Sequence, residues 1–273
     1  MLVKNKFILF LTTIFLLCGC SASNDRQCIR FDLCDYKNID ITADMYLVTD
    51  SELNTAMTMY AVSTDTGLED YTGLTDAIVN QYFGYDTVIE LKEKALLDIV
   101  SHRIIDAIYA KILSSSYMDF HYNDPIFEDY YARRLTSVEH QANQENMNIS
   151  DFLKNHHQIT EEAFKESEID FYVTICIIKE ILNSENHPIP QSEINSYRSN
   201  LALELGCSID ETHKSVLDED LFYAIAESTI YELIEDWYMV DIHDAYDEAR
   251  QSLDSFDLPS QCTAHLYSIV WTM

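Results

Sequence analysis

Five glycines and four prolines punctuate all 273 residues, and that scarcity constrains the fold more than any other property of the chain. Nucleotide-binding and sheet-rich folds need glycine at phosphate loops, tight turns and bulges, so so few breakers point to a chain built mainly of helices. The few that occur then carry information. Gly84, Pro125, Pro188, Pro190 and Gly206 read as helix boundaries rather than as loop filler.

Between those breaks the helix signals are local. Thr49 or Asp50 can cap a helix to about Tyr60, and a threonine-rich connection from Ser63 to Gly73 leads to another that starts near Thr75 and stops at Gly84. Thr87-Val-Ile-Glu90 has capping-box spacing, and Ile89, Leu96, Val100, Ile104, Ile108 and Ile112 then mark one apolar stripe to about Ser115. Pro125 opens a helix to about Gln144, and Ile149 to His156 forms a short one. Thr160 caps a long helix with Phe164, Ile175, Ile178 and Leu182 on its apolar side. Ser192 is expected to cap the next, with Ile194, Tyr197, Leu201 and Leu205 at helical spacing before Gly206, and Asp218 a last one to about Leu253. Ile39 to Val48 alternates as a strand would, and the apolar tail from Cys262 to Trp271 also reads as a strand. The fold class is therefore mainly α, an elongated arrangement of long helices with minor strand near the termini.

The amino terminus has a different grammar. Lys4 and Lys6 precede an apolar stretch from Phe7 to Leu17, and Leu17-Cys18-Gly19-Cys20 closes it. That stretch is shorter than the roughly 20 apolar residues that span a bilayer. It has the form of a lipoprotein signal with cleavage before Cys20 and acylation, as by palmitate, of the Cys20 thiol. This reading places the protein on the extracytoplasmic face of a bacterial cell membrane, held by its lipid. The organisation that follows is a signal peptide over 1–19, lipidated Cys20 and a linker over 20–35, a strand and helix over 36–73, a helical domain over 74–253 and a tail over 254–273.

A formal charge of −30 excludes nucleic acid as a partner and disfavours lying flat on anionic lipid. A mildly cationic partner suits it. Cys28, Cys34, Cys176, Cys207 and Cys262 show no Cys-x-x-Cys pair and no zinc spacing. Cys28 and Cys34 are close enough to bridge, and Cys176, in the apolar run Val173 to Ile178, reads as a buried small hydrophobe. No nucleophile elbow, phosphate loop or His-Glu-x-x-His motif occurs, so no enzyme activity and no cofactor or nucleotide is expected. His156-His157 reads as the end of a helix, favoured there by the dipole, rather than as metal ligands. Asp241, His243, Asp244 and Asp247 form the densest acid and imidazole cluster and read as a solvated helix face. Asp210 and His213 have metal-site spacing in a single copy, which is insufficient for a carboxylate-bridged site.

Core packing accounts for most of the eighteen tyrosines and twelve phenylalanines, and such rings are also contact material for apolar segments of another chain. The candidates for such contact are Tyr117, Phe120, Tyr122, Phe127, Tyr130 and Tyr131, which lie where apolar periodicity is loose.

From about Leu74 to Trp237 the order of segments resembles the C-terminal chaperone domain of trigger factor. Phe83-Gly-Tyr-Asp-Thr-Val-Ile-Glu-Leu-Lys-Glu93 looks like the entry to that family's first long arm helix, and Ile149-Ser-Asp-Phe-Leu153 like the short segment before its turn. Ile159-Thr-Glu-Glu-Ala-Phe164, Ile189-Pro-Gln-Ser-Glu-Ile194 and Leu205-Gly-Cys-Ser-Ile-Asp-Glu211 resemble its later helix starts and turn. Asp35 to Ile41 and Val48 to Leu53 resemble the strand and helix that lead into the family's prolyl isomerase domain. Only about 20 residues separate Leu53 from Leu74, too few for that domain, and a signal stands in place of the ribosome-docking domain. The resemblance implies an ATP-independent holdase without isomerase activity, binding exposed apolar segments of unfolded or newly exported polypeptides in a cradle between helical arms. The alternative is an envelope or cell-surface adaptor that binds one specific protein.

Overall fold

Local capping sets most of the helix limits. The computed structural model describes residues 31–63, 67–119 and 124–253. Among these, helices take up most of the chain and the one sheet has two short strands, so the protein is mainly α. Cys20, Cys28, Phe120, Tyr122 and the expected strand in the tail lie outside the described residues.

The described residues fall into two compact units, one from 37–109 and 234–253, the other from 31–36 and 110–233. In the first unit, α1 (Ala43–Tyr46) and α2 (Asp50–Ser63) come first. The Thr49 backbone N–H donates to Glu52 Oε2 at 2.8 Å while the Glu52 N–H donates to Thr49 Oγ1 at 3.3 Å, a reciprocal capping box. A single 3₁₀ turn (Tyr71–Gly73) leads to α3 (Asp76–Phe83), capped by Thr75 and ended by Gly84 at φ +78°. Then α4 (Val88–Ser115) begins, with the Glu90 N–H on Thr87 Oγ1 at 3.1 Å. Leu53, Met57, Val79, Leu91, Leu96, Val100 and Ile104 are all within 1% of full burial and form the core of this unit.

Three expectations fail in this unit, each for a tertiary reason. Ile39 to Val48 is not a strand, because no strand lies beside it; α1 occupies its middle and the Ile39 N–H donates to Tyr238 Oη at 2.7 Å instead. Ile89 is 45% exposed, since the buried stripe of α4 runs through Leu91 and Ala95. The last helix is two, α10 (Asp218–Trp237) and α11 (Met239–Gln251), broken where Tyr238 leaves helical geometry at φ −109° and ψ 14°. Ile242, Ala245, Tyr246 and Ala249 are the buried side of α11.

The second unit opens with the sheet: β1 (Phe31–Asp32) pairs antiparallel with β2 (Tyr117–Met118), Phe31 opposite Met118. Residues 31–32 were expected in a linker; the pairing joins positions too distant in sequence for any hairpin signal. Next come α5 (Pro125–Gln144), α6 (Ile149–Phe152) and α7 (Glu161–Ser184). Asp124 caps α5 with Pro125 in its first turn, and Thr160 caps α7 with the Ala163 N–H at 3.2 Å. Then α8 (Gln191–Leu205) begins after Pro190, so Ser192 lies inside the helix rather than at its cap. Gly206 at φ +66° ends α8, and α9 (Ile209–Ser215), capped by Ser208, is a helix where only a turn was expected. Phe164, Ile175, Ile178 and Leu182 are buried as the spacing predicted, while Cys176 is half-buried.

Candidate functional site

The tip of the α5–α6–α7 hairpin encloses a groove of about 530 Å³. Local geometry makes it. Asn146 takes φ +58° after α5, and the Met147 N–H returns to the Ala142 carbonyl at 2.9 Å. Asn148 then caps α6 through the Asp151 N–H at 2.8 Å. The chain leaves α6 through a wider π turn (Leu153–His157) that Gln158 closes at φ +59°.

Ala142, Met147 and Ile149 supply the apolar lining of the groove; Asn143, Asn148 and Ser150 supply polar groups, and Glu139 and Glu161 supply negative charge. Behind it Val138, Ala142, Phe152, Leu153 and Phe164 form a buried cluster, against which Tyr131, Leu135, Met147, Ile149 and Ile159 pack while keeping some surface in water. Met147 and Phe152 flank Asn148 at the spacing of a hydrophobic staple, a signal that was present in the sequence. His156 sits beside the same turn, its Nε2 2.8 Å from Glu145 Oε2, and burial next to His156 pushes the His157 pKa down. The histidine pair therefore belongs to a helix end, as expected.

Further along the same two helices lies a buried polar cluster that sequence reasoning missed. Arg134 has no exposed surface; its terminal nitrogens hold the Asp220 carboxylate, one at 3.3 Å, and its Nε lies 3.4 Å from Glu168 Oε2. Tyr130 donates its hydroxyl to the same Glu168 oxygen at 2.6 Å. Beside them Arg133 holds Glu219 at 2.7 Å. Burial raises the Glu168 carboxyl to about 7, with Arg134 opposing, and burial likewise raises Glu219 against Arg133. Burial also opposes the charge of Arg134, but Asp220, Tyr130 and Glu168 outweigh it and keep the guanidinium ionised. The clue was in the pattern: Glu168 stands one turn from both Phe164 and Tyr172 on the apolar side of α7, and Arg134 stands likewise between Tyr130 and Val138.

The aromatic residues singled out by composition divide sharply. Tyr117 is 62% exposed on β2. Phe127 and Tyr130 have no exposed surface and pack edge-on or tilted against Tyr172, with ring centroids 5.4 and 5.6 Å away. They are core residues and present nothing to a client, because the face of α5 that carries them turns toward α7. Tyr131 is half-buried, stacked on Phe127 at 5.8 Å, with Lys165 Nζ 5.1 Å from its ring. Of the candidates within the described residues, only Tyr131 joins the apolar cluster behind the groove.

Asp241 and Asp244 are exposed on α11 with His243 half-buried between them, and among the described residues no three His, Cys, Asp or Glu side chains gather as a cation site. Cys34, Cys176 and Cys207 are not joined to one another. Among the described residues no helix is long and apolar enough to cross a membrane. No family model, curated protein or solved structure matches the chain.

Proposed function

We propose that the chain is a lipid-anchored, extracytoplasmic, ATP-independent holdase of the trigger factor type, lacking prolyl isomerase activity. It holds exposed apolar segments of newly exported polypeptides and releases them without bond chemistry. The groove at the hairpin tip carries this reading. The segments whose order resembles trigger factor supply Ile149, Ser150 and Glu161 to its lining, the end of α5 and the turn after it supply the rest, and it combines apolar side chains with half-exposed hydrophobic neighbours. Reversible capture needs just such a surface: enough apolar area to hold a segment, too little to retain it.

Charge supports the choice of client. Glu139 and Glu161 line the groove, and the whole chain carries −30, so a segment mixing apolar and cationic residues is attracted where an acidic one is repelled. The lipid on Cys20 would keep the groove near the membrane where exported chains emerge.

The test is aggregation of a chemically denatured protein, followed by light scattering, with the chain lacking residues 1–20 added at equimolar amounts without nucleotide. Suppression is expected. Failure at several-fold excess, with capture of a single folded protein from an envelope extract, would replace the holdase with an adaptor.

A further inference from the structure

Glu168 faces an unbalanced set of partners. From α5 it meets Tyr130, Tyr131 and Arg134, from α10 it meets Asp220, and Tyr172 lies one turn away on its own helix. Both terminal nitrogens of Arg134 reach Asp220, whereas Glu168 meets the Nε at 3.4 Å, a group that also donates to Tyr130 Oη at 3.3 Å, and the neutral Tyr130 hydroxyl. The other guanidinium nearby, Arg133, is turned to Glu219 at 2.7 Å and Asp129 at 3.4 Å. With 2% of its surface exposed, Glu168 cannot draw the missing charge from solvent. One buried cation therefore stands against two buried carboxylates, and the count closes when one of them holds a proton. Asp220 has the closer guanidinium contacts and the Leu217 N–H at 2.8 Å, so the proton belongs on Glu168.

We infer that Glu168 is the protonated member of this cluster in mildly acidic surroundings and that its loss of that proton as pH rises through neutrality loosens the seam between α5 and α7 beside the groove. Deprotonation passes the proton to solvent base and leaves an uncompensated anion in the core, next to the aromatic stack of Phe127, Tyr130 and Tyr172. The same two helices carry Ala142 and Phe164 of the apolar cluster, so a parted seam exposes apolar surface there. The carboxyl is lifted from its ordinary 4.5 to about 7, which agrees with the charge count. The sign follows: a raised carboxyl binds its proton more tightly in the folded chain, so the stability it contributes is full below its ordinary 4.5 and is lost as pH rises from there through about 7.

The experiment uses the chain lacking residues 1–20 and its Glu168→Gln variant, with urea unfolding and binding of an apolar-surface dye followed from about pH 4.5 to about pH 9. Over that range the wild-type folding equilibrium should fall by roughly 150-fold relative to the variant, nearly all of it before about pH 7.5, and dye binding should rise only in the wild type. Parallel profiles overturn the inference. Should the variant not fold, infrared spectra of the wild type with isotope-labelled glutamate decide: a protonated carboxyl band present in mildly acidic solution and lost as pH rises through neutrality supports the assignment, and its absence in mildly acidic solution overturns it. The consequence for clients rests on the holdase reading. A chain that titrates this way yet suppresses no aggregation refutes that reading alone, whereas a holdase with parallel profiles refutes the switch alone.

Discussion

Removing the guanidinium of Arg134 is the sharpest test of how the helical hairpin is held. Its side chain is completely buried and meets two carboxylates that are 3% and 5% exposed, Glu168 and Asp220. The Arg134→Met substitution keeps most of the volume and deletes the charge. Glu168, raised to about 7 even with Arg134 opposing, takes up its proton once that guanidinium is gone, so the charge left behind is Asp220, which also accepts the Leu217 N–H at 2.8 Å. Removing one partner of a buried ion pair in this way costs about 3 to 5 kcal/mol, which is roughly two to four powers of ten in the folding equilibrium. Urea unfolding followed by far-ultraviolet circular dichroism reads the total, and hydrogen exchange at the amides of α5 and α7 locates it. Adding Asp220→Asn removes the stranded charge while keeping an acceptor for Leu217, and should recover at least about 2 kcal/mol. The reasoning is refuted if Arg134→Met costs less than about 1 kcal/mol, or if the double variant is no more stable than the single one.

Other outcomes follow from the same geometry. Thr49→Ala removes the hydroxyl half of the reciprocal cap of α2 and should cost about 1 kcal/mol, read by thermal unfolding. Glu52, held down to about 2 by the Thr49 backbone and hydroxyl and by Arg103, contributes stability that is present above its ordinary 4.5 and lost as pH falls through about 2. Thr49→Ala should make that acid limb shallower without abolishing it, because the backbone N–H and Arg103 still hold the carboxylate. Gly206→Ala meets no neighbouring atom, so its cost of roughly 1 kcal/mol in urea unfolding would come from φ +66° alone. Met147→Glu adds a third carboxylate to the groove and should weaken aggregation suppression about fivefold, with the helical spectrum unchanged.

How much of this was legible beforehand depends on the range of the interaction. Thr75, Thr87, Pro125, Thr160, Gly84 and Gly206 mark helix limits because a cap is satisfied within four residues of itself. The pairing of Phe31 with Met118 and the acceptance of the Ile39 N–H by Tyr238 involve distant residues, and no window of sequence contains both partners. The groove was half legible: Met147, Asn148 and Phe152 had the spacing of a stapled cap, but that the turn encloses space depends on where α7 returns.

The sequence by itself determined that this chain is helical and where most helices begin and end, since scarce glycine and proline, hydroxyl caps and apolar periods act on the backbone locally. Only the tertiary structure decided the fate of the side chains. Phe127 and Tyr130 went to the core and Tyr117 to solvent, although all three looked alike in the sequence. Arg134, Glu168 and Asp220 became one cluster because α5, α7 and α10 each turn a charged position on an apolar face toward the same point. Burial is a property of which faces meet, and charge balance is a property of which buried groups then find each other.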